Sequence, residues 1–254
     1  MKQYVCENVF IPLRSMPGHR SEMTSQVLFG EKYTIIDELP GWVKIELAFD
    51  GFSGWVDMDH IYHSPTDESD KGLVLNRSLL CYTPDGTKMV IEAGSEIYDP
   101  DFDNKTFRAG ENIYKASPDF HSGYVTVNES FADTAMRFIN SPYIWGGRVP
   151  SGIDCSGFTQ LVYKIHGMSI PRNSRTQAVK GQVVEFIKDA KPGDLAFFGS
   201  ARGQISHVGV ILSEGLVIHA SGRIRIDIID HQGIYRKDIK AYSHKLRIIR
   251  RLTG

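Results

Sequence analysis

One stretch of the chain, residues 143–162, marks the point where a loop must turn into a helix. It reads Tyr-Ile-Trp-Gly-Gly-Arg-Val-Pro-Ser-Gly-Ile-Asp-Cys-Ser-Gly-Phe-Thr-Gln-Leu-Val. Its glycines and its proline make regular structure unfavourable ahead of Cys155. Beyond that cysteine, apolar residues recur at helical spacing, at Phe158, Leu161, Val162 and Ile165. The stretch therefore predicts a loop that delivers Cys155 to the first turn of an amphipathic helix.

A cysteine at the start of a helix is a candidate nucleophile. The unpaired N–H groups and the positive end of the helix dipole favour thiolate, and such positions can lower a cysteine pKa from about 8.5 to roughly 3.5–7.5. We therefore expect Cys155 to be an activated thiol. The alternative is a buried structural cysteine, which is inert.

The cysteine count argues against a disulfide framework. The chain has three cysteines, Cys6, Cys81 and Cys155, and no Cys-x-x-Cys pair, so a structural zinc site is not expected either. We expect free thiols, no metal and no cofactor. A Cys6–Cys81 bridge is the alternative, and it would leave Cys155 alone.

Length and charge limit the classes of partner. A chain of 254 residues predicts two or three modules, and a formal net charge of −1 without a long basic run disfavours nucleic acid. The chain lacks both an eighteen-residue apolar stretch and an apolar leader after Met1, so we expect a soluble monomer without a membrane span. We expect it in the cytoplasm, or in the periplasm or outside the cell if an export signal has been removed.

The first half of the chain has the pattern of small all-β domains. Short apolar runs separated by glycine and proline predict one barrel in residues 1–64 and a second, possible copy in residues 65–127, joined by the polar residues 63–72. The predicted strands are residues 4–11, 26–29, 33–38, 42–47 and 54–56, and then 74–80, 88–91, 95–98, 106–107, 112–115 and 124–127. We expect Trp42 to be a core aromatic.

The last domain, residues 128–254, combines helices with strands. A helix is predicted over residues 130–139, the Cys155 helix follows, and another helix begins near Ser174. Strands are then predicted at residues 194–198, 206–212, 216–221, 225–229 and 246–249. Helices followed by an antiparallel sheet make an α+β domain.

Two of the nine histidines are candidates for the general base that a thiol nucleophile requires. His207 and His219 lie on consecutive predicted strands. If Leu212 pairs with Leu216, then His219 lies opposite Gly209 and both imidazoles point to one face as diagonal neighbours. A slip of one residue would send them to opposite faces. The other histidines are expected to be ordinary surface or core residues: His19, His60, His63, His121, His166, His231 and His244.

Six blocks of sequence together resemble one family, the NlpC-type peptidoglycan cysteine peptidases. The blocks follow the family's order and are Tyr143-x-Trp-Gly-Gly, Asp154-Cys155-Ser156-Gly157, Pro171-Arg172-x-Ser174-x-x-Gln177, Gly193-Asp194-Leu-x-Phe-Phe198, His207-Val-Gly and His219-Ala. The Gly-Trp pairs at residues 41–42 and 54–55 also resemble the bacterial SH3-like modules found beside cell-wall enzymes. The resemblance implies a papain-like catalytic domain of α+β class preceded by two small all-β SH3-like barrels.

The resemblance also implies catalytic roles. Cys155 would be the nucleophile, His207 the general base and then acid, and His219 the residue that orients His207. The hydroxyl of Tyr143 would help to hold the oxyanion beside the backbone N–H of Cys155.

The substrate that the resemblance implies is a peptidoglycan stem peptide, cleaved between γ-D-glutamate and a diamino acid, either meso-diaminopimelate or L-lysine. SH3-like modules ahead of the peptidase are similar to the subset that trims free muropeptides with an N-terminal L-alanine. In that subset Asp154 and Ser156 would bind the α-ammonium, and residues 49–55 of the first module would wall off the groove.

Several alternatives stay open at this point. Asp154 could cap the Cys155 helix, and Arg172 could contact a substrate carboxylate or brace its loop. The whole protein could be a non-catalytic binder of cell-wall peptides, or an amidase or acyltransferase on the same fold, because a helix-start thiol and histidines serve any acyl-enzyme chemistry.

Overall fold

The chain folds into two compact units. The computed structural model describes residues 2–61, 70–125, 127–200 and 202–252. The first unit comprises Met1–Val127 and Trp145–Pro150, and the second comprises Asn128–Ile144 and Ser151–Gly254. The predicted boundary at residue 64, and residues 63–69 of the predicted linker, lie outside the described residues. Among the described residues, no helix has the length and apolar character needed to cross a bilayer.

The first unit contains two antiparallel sheets of six strands each. The first sheet is formed by β1 (Gln3–Val5), β2 (Phe10–Arg14), β3 (Met23–Leu28), β4 (Lys32–Leu39), β5 (Trp42–Leu47) and β6 (Ser53–Asp57). The second is formed by β7 (Lys71–Leu73), β8 (Ser78–Tyr82), β9 (Lys88–Glu92), β10 (Glu96–Asp101), β11 (Thr106–Ala109) and β12 (Asn112–Ala116). The strand order is β1-β4-β5-β6-β2-β3 in the first sheet and β7-β10-β11-β12-β8-β9 in the second. Adding six to each strand number of the first order gives the second. The second sheet is therefore a topological copy of the first.

Each sheet packs on an apolar core, and the core of the second sheet also includes Val5 and Phe29. Cys6 lies in the first core and Cys81 in the second, and all three cysteines of the chain are free. The alternative of a Cys6–Cys81 bridge is therefore wrong. Burial raises the pKa of Cys81 to about 12 and that of Cys6 far above its ordinary value, so both are packing residues.

Several strand predictions for this unit were wrong in detail. The run 4–11 divides into β1 and β2 because the chain bends at Asn8 and Val9. Just before the bend, the buried carboxylate of Glu7 accepts hydrogen bonds from Asn112 and Tyr114 at 2.6 and 2.8 Å. The predicted strand 124–127 is replaced at its start by a 3-10 turn, Ser122–Tyr124, because His121 caps it by accepting from the Gly123 N–H. Trp42 is half-buried against the edge of His19 and lies outside the core.

The second unit is built on a sheet that closes on itself. Its helices are α1 (Phe131–Met136), α2 (Cys155–Ile165) and α3 (Ser174–Gln177). Short β13 (Arg148–Val149) belongs to the first unit, and the strands of the second are β14 (Gly152–Ile153), β15 (Gln182–Val184), β16 (Leu195–Gly199), β17 (Ile205–Ser213), β18 (Leu216–Ser221), β19 (Arg223–Ile229), β20 (Gly233–Arg236) and β21 (Ala241–Arg251). The sheet order is β15-β21-β16-β17-β18-β19-β20, and β20 also pairs with β21. That last pairing closes the ring.

Helix α2 is buried on every side. All eleven of its residues are buried, so the polar face of this amphipathic helix lies inside the unit as its apolar face does. Its polar side chains are satisfied internally: Thr159 donates to the Gln177 side chain at 2.9 Å, and Gln160 donates to the Ile170 carbonyl at 2.9 Å. The helix that carries Cys155 is thus held rigidly by both apolar packing and hydrogen bonds.

The hairpin of β17 and β18 has the predicted register at the histidines. His219 lies opposite Gly209, as the alternation required. The pairing of Leu212 with Leu216 was wrong, because Ser213 pairs with Leu216 and the register shifts after Ile211. This bulge lies between the histidines and the turn, so it does not change which face His219 occupies.

Candidate active site

Cys155 begins α2 and lies against β17. Asp154 is the N-cap, and its Oδ1 accepts a hydrogen bond from the Gly157 N–H at 2.7 Å. The capping role left open in the sequence is therefore present in the structure. The Cys155 sulfur faces the backbone N–H groups of Ser156 and Val208, and Val208 directly follows His207 in the chain.

The surroundings of Cys155 act against ionisation of its thiol. Burial raises the pKa of Cys155 to about 12 and the Asp154 charge adds to this, while the N–H of Val208, Arg172 and the N–H of Ser156 act in the opposite direction. The thiol is 6% exposed. The expected lowering of the Cys155 pKa is therefore not seen, because desolvation outweighs the effect of the helix start.

His207 and His219 form a hydrogen-bonded pair that continues to a carboxylate. His207 Nε2 lies 2.8 Å from His219 Nδ1, and His219 Nε2 lies 3.0 Å from Asp227 Oδ2. All three side chains are buried, with His219 fully so. Burial, His219 and His244 lower the pKa of His207 well below its ordinary value. The imidazole is therefore neutral at neutral pH, as a base that accepts a proton must be.

Asp227 belongs to a network of charged residues. Arg225 donates to its two oxygens from Nε at 2.6 Å and from a terminal nitrogen at 2.9 Å, and Arg225 also contacts Asp238 at 3.1 Å. Burial acts to raise the pKa of Asp227, but the hydrogen bonds from His219 and Arg225 hold it below the ordinary value. The carboxylate that faces His219 is therefore ionised.

His244 also lies at this site, although no pattern in the sequence predicts it there. Its ring stacks on that of His207 with centroids 4.2 Å apart and planes 25° apart, and its Nδ1 lies 2.8 Å from the Ser243 hydroxyl. The expectation that His244 is an ordinary histidine was wrong. Burial is the main cause that lowers its pKa to about 4.

The same three imidazoles form the group among the described residues that could hold a metal ion. One ring nitrogen from each of His207, His219 and His244 lies within 4.8 Å of the others. The facing nitrogens of His207 and His219, however, already form a hydrogen bond with each other. The arrangement as it stands therefore suits proton transfer between imidazoles.

The remaining predicted site residues surround the nucleophile. Tyr143 is half-buried, and burial is the main cause that raises its pKa to about 12, so its hydroxyl is a donor at neutral pH. Arg172 donates to Asp154 Oδ2 at 2.6 Å and Oδ1 at 3.0 Å, and to the Ser156 hydroxyl at 3.0 Å. Because Arg172 is 2% exposed, the structure gives it the bracing role.

Residues 49–55, the predicted wall of the groove, belong to the first unit. The Arg148 guanidinium lies over the Phe49 ring at 5.6 Å, and Asp50 Oδ1 accepts from the Phe52 N–H at 2.9 Å. Their role towards substrate stays a prediction.

Known proteins share both halves of this architecture. Residues 140–243 match the NlpC/P60 family, and residues 13–61 match the bacterial dipeptidyl-peptidase SH3 domain. A gamma-D-glutamyl-L-lysine dipeptidyl-peptidase of Bacillus subtilis is 29% identical over 85% of this chain and 79% of its own length. Dipeptidyl-peptidase 6 of Lysinibacillus sphaericus is 27% identical over 89% of this chain and 92% of its own.

A solved structure extends the similarity to the fold. An NlpC/P60 family protein from Bacillus cereus has a TM-score of 0.80 at 20% identity, covering 98% of this chain and 99% of that one. This likeness confirms the predicted fold class, an α+β protein with SH3-like N-terminal sheets and a papain-like domain. Peptidases of this family are cysteine peptidases that act on peptidoglycan. The chain therefore carries an NlpC/P60 cysteine-peptidase domain preceded by a bacterial SH3 domain, and it is a peptidoglycan hydrolase.

Proposed function

We propose that this protein cleaves the bond between γ-D-glutamate and the diamino acid of peptidoglycan stem peptides, acting on free muropeptides with an N-terminal L-alanine. The observation that carries the proposal is the His207–His219 hydrogen bond beside a helix-start cysteine. The names of the relatives from Bacillus subtilis and Lysinibacillus sphaericus support a dipeptidyl-peptidase activity.

In the proposed reaction, Cys155 and His207 share one proton through two steps. His207 takes the thiol proton as the sulfur attacks the γ-glutamyl carbonyl, and it returns that proton to the amine of the departing diamino acid. The C–N bond breaks and a thioester to Cys155 remains. His207 then deprotonates a water that attacks the thioester, which releases the L-alanyl-γ-D-glutamate acid and the free thiol.

The proposed oxyanion donors are the Cys155 N–H and the Tyr143 hydroxyl. A raised pKa keeps Tyr143 protonated through the neutral range, as a hydrogen-bond donor requires. These donors stabilise charge that develops only in the transition state, and the loss of one such donor typically lowers the rate on the order of a hundredfold or more.

Recognition of the substrate amine is assigned in this proposal to Asp154 and Ser156. Both side chains adjoin Cys155 in sequence and are nearly buried, at 5% and 7% exposure, so an ammonium bound there would be desolvated and would need a carboxylate partner. Arg172 also pairs with the Asp154 carboxylate, so the substrate ammonium would join an existing charge pair there. An N-acetylated substrate carries no positive charge to meet this carboxylate and would bind more weakly.

The test is mass spectrometry of the products formed from L-Ala-γ-D-Glu-L-Lys and L-Ala-γ-D-Glu-meso-diaminopimelate, each with a free and with an acetylated N-terminus. We expect release of L-Ala-γ-D-Glu from the free-amine peptides, and none with the Cys155→Ala variant as the control. Equal cleavage of the acetylated peptides would contradict the assigned amine recognition. Binding without cleavage would favour a wall-peptide binder, and a transferred acyl group would favour an acyltransferase.

A further inference from the structure

We propose that Asp227 is a positioning residue of the peptidase, the outer member of a proton path that we define as His207, His219 and Asp227. The inference rests on the proposed peptidase chemistry and extends it beyond Cys155 and the two histidines. In this path the Asp227 carboxylate sets which nitrogen of His219, and through it of His207, carries a proton.

The path is continuous and almost wholly buried. The two links are 2.8 Å from His207 Nε2 to His219 Nδ1 and 3.0 Å from His219 Nε2 to Asp227 Oδ2. His219 is fully buried, and His207 and Asp227 are 6% and 7% exposed. A hydrogen bond in such a setting is strong, and leaving one of its groups unpaired is correspondingly unfavourable.

The proton positions follow from the chemistry of the three groups. An ionised Asp227 can only accept, so His219 must donate from Nε2. A neutral His219 then has an unprotonated Nδ1, which accepts the proton of His207 Nε2. His207 Nδ1 is left with its lone pair, and it is the ring nitrogen able to take the thiol proton of Cys155.

Substitution of Asp227 by asparagine removes this constraint. The amide can donate to His219 Nε2 as readily as it accepts, so the opposite order of protons becomes available. In that order His207 carries its proton on Nδ1 and cannot act as a base. The loss of an aspartate that acts directly on a catalytic histidine lowers kcat about 10⁴-fold. Asp227 acts one imidazole further out, so we expect a fall of between about tenfold and 10³-fold.

The charges around the path fix the direction of a pH effect. Asp227 raises the pKa of His219, while Arg225 and Arg236 lower it, and His244 stacks on His207 and lowers its pKa. Asp238 accepts hydrogen bonds from both arginines. Loss of the Asp227 charge must therefore lower the pKa of the histidine pair, and loss of the Arg225 charge must raise it.

The experiment measures kcat and kcat/KM against pH for wild type, Asp227→Asn, Arg225→Gln and Asp238→Asn. The acid limb of kcat/KM should move to lower pH in Asp227→Asn and to higher pH in Arg225→Gln, and kcat should fall at least tenfold only in Asp227→Asn. Asp238→Asn is the matched control, because Asp238 binds the same arginines without contacting His219. Circular dichroism checks that each variant is folded, and active-site titration gives the concentration of active enzyme. Partial unfolding cannot produce shifts of the acid limb in opposite directions in the two variants.

Wild-type kcat with unshifted limbs in Asp227→Asn would overturn the proposal, as would an equal loss in Asp238→Asn. The alkylation of Cys155 by iodoacetamide, followed by intact mass across the same pH range, gives a readout that needs no substrate. One further outcome separates the two proposals. If wild type cleaves none of the peptides, but the pH dependence of Cys155 alkylation shifts in opposite directions in Asp227→Asn and Arg225→Gln relative to wild type, the substrate assignment fails and the proton path stands. Alkylation profiles that coincide in all four proteins overturn the path.

Discussion

At the residue scale, Cys155 and His207 have perturbed pKa values of opposite direction. Burial raises the pKa of the thiol and lowers that of the imidazole, so it disfavours the charged form of both groups. In the proposed reaction, proton transfer therefore accompanies attack on the substrate carbonyl. This arrangement makes the tautomer of His207 decisive, because a neutral imidazole has one basic nitrogen.

His244 ties the stability of the second unit to pH. Burial lowers its pKa to about 4 from about 6.5, so the unfolded chain binds the proton more readily. Stability is therefore full above about pH 6.5 and is lost as the pH falls towards 4. For this half-buried group we expect a loss of about 1 to 2 kcal/mol after allowance for solvent screening.

Urea unfolding of His244→Phe at pH 7 and at pH 4.5 measures that contribution. The variant keeps an aromatic ring to stack on His207, so the fall in unfolding free energy between the two pH values should be smaller than in wild type. The exposed His60, changed to Phe, is the control and should behave as wild type. An unchanged pH dependence in His244→Phe would contradict the assignment.

At the element scale, the β17–β18 hairpin holds the two histidines in register because Gly209 has no side chain. A Cβ at position 209 would lie 2.8 Å from Val217 Cγ2, 2.9 Å from His219 Cβ and 2.9 Å from the Ile218 carbonyl oxygen. Gly209→Ala should therefore displace His219, lower kcat and destabilise the protein by about 1 to 3 kcal/mol. Thermal unfolding and steady-state kinetics check this, with the exposed Ser213→Ala on the same strand as the control. Wild-type kcat in Gly209→Ala would refute it.

The hairpins also explain what sequence could predict. Side chains alternate between the two faces along β17 and β18, and this alternation was enough to put His207 and His219 on one face. The bulge does not disturb it, because it lies between the histidines and the turn. Asp227 was missed although a signal existed: β19 begins at Arg223, straight after Gly222 at φ +72°, and the resulting register puts Asp227 diagonal to His219. Because the strand was predicted to start at residue 225, its first paired residues were left out and this register was not predicted.

His244 had no comparable local signal. It lies on β21, and its place beside His207 depends on the closure of the sheet through the β20–β21 pairing, in which Ile234 faces His244. The polar start of β21 was not predicted as strand. A contact made by closing a sheet depends on the whole fold, which periodicity in one segment does not encode.

At the scale of the whole molecule, one segment belongs to a unit other than that of its neighbours in sequence. Trp145–Pro150 is part of the first unit, where Arg148 forms two 2.8 Å bonds to the Glu31 carboxylate and a 2.6 Å bond to the Gln26 carbonyl. Arg148 and Glu31 are 3% and 0% exposed. The glycine-rich stretch read from sequence as one loop thus divides between two units.

Removal of the Glu31 charge tests how firmly the segment is held. Glu31→Gln leaves a buried arginine without its counter-charge, so we expect the first unit to lose about 3 to 5 kcal/mol. The matched change Asp99→Asn breaks the exposed pair with Arg108 and should lose at most about 1 kcal/mol. Calorimetry measures the free energy of unfolding of both variants, and an equal loss of stability in the two would contradict the account.

The central claim is that Cys155 attacks the γ-glutamyl carbonyl, and a chloromethyl ketone built on L-Ala-γ-D-Glu tests it most directly. Incubation followed by intact mass and peptide mapping should find one adduct per protein, on Cys155, with activity lost in step and with protection by the tripeptide substrate. Labelling of Cys6 or Cys81 instead, or full peptidase activity with Cys155 fully labelled, would contradict the account.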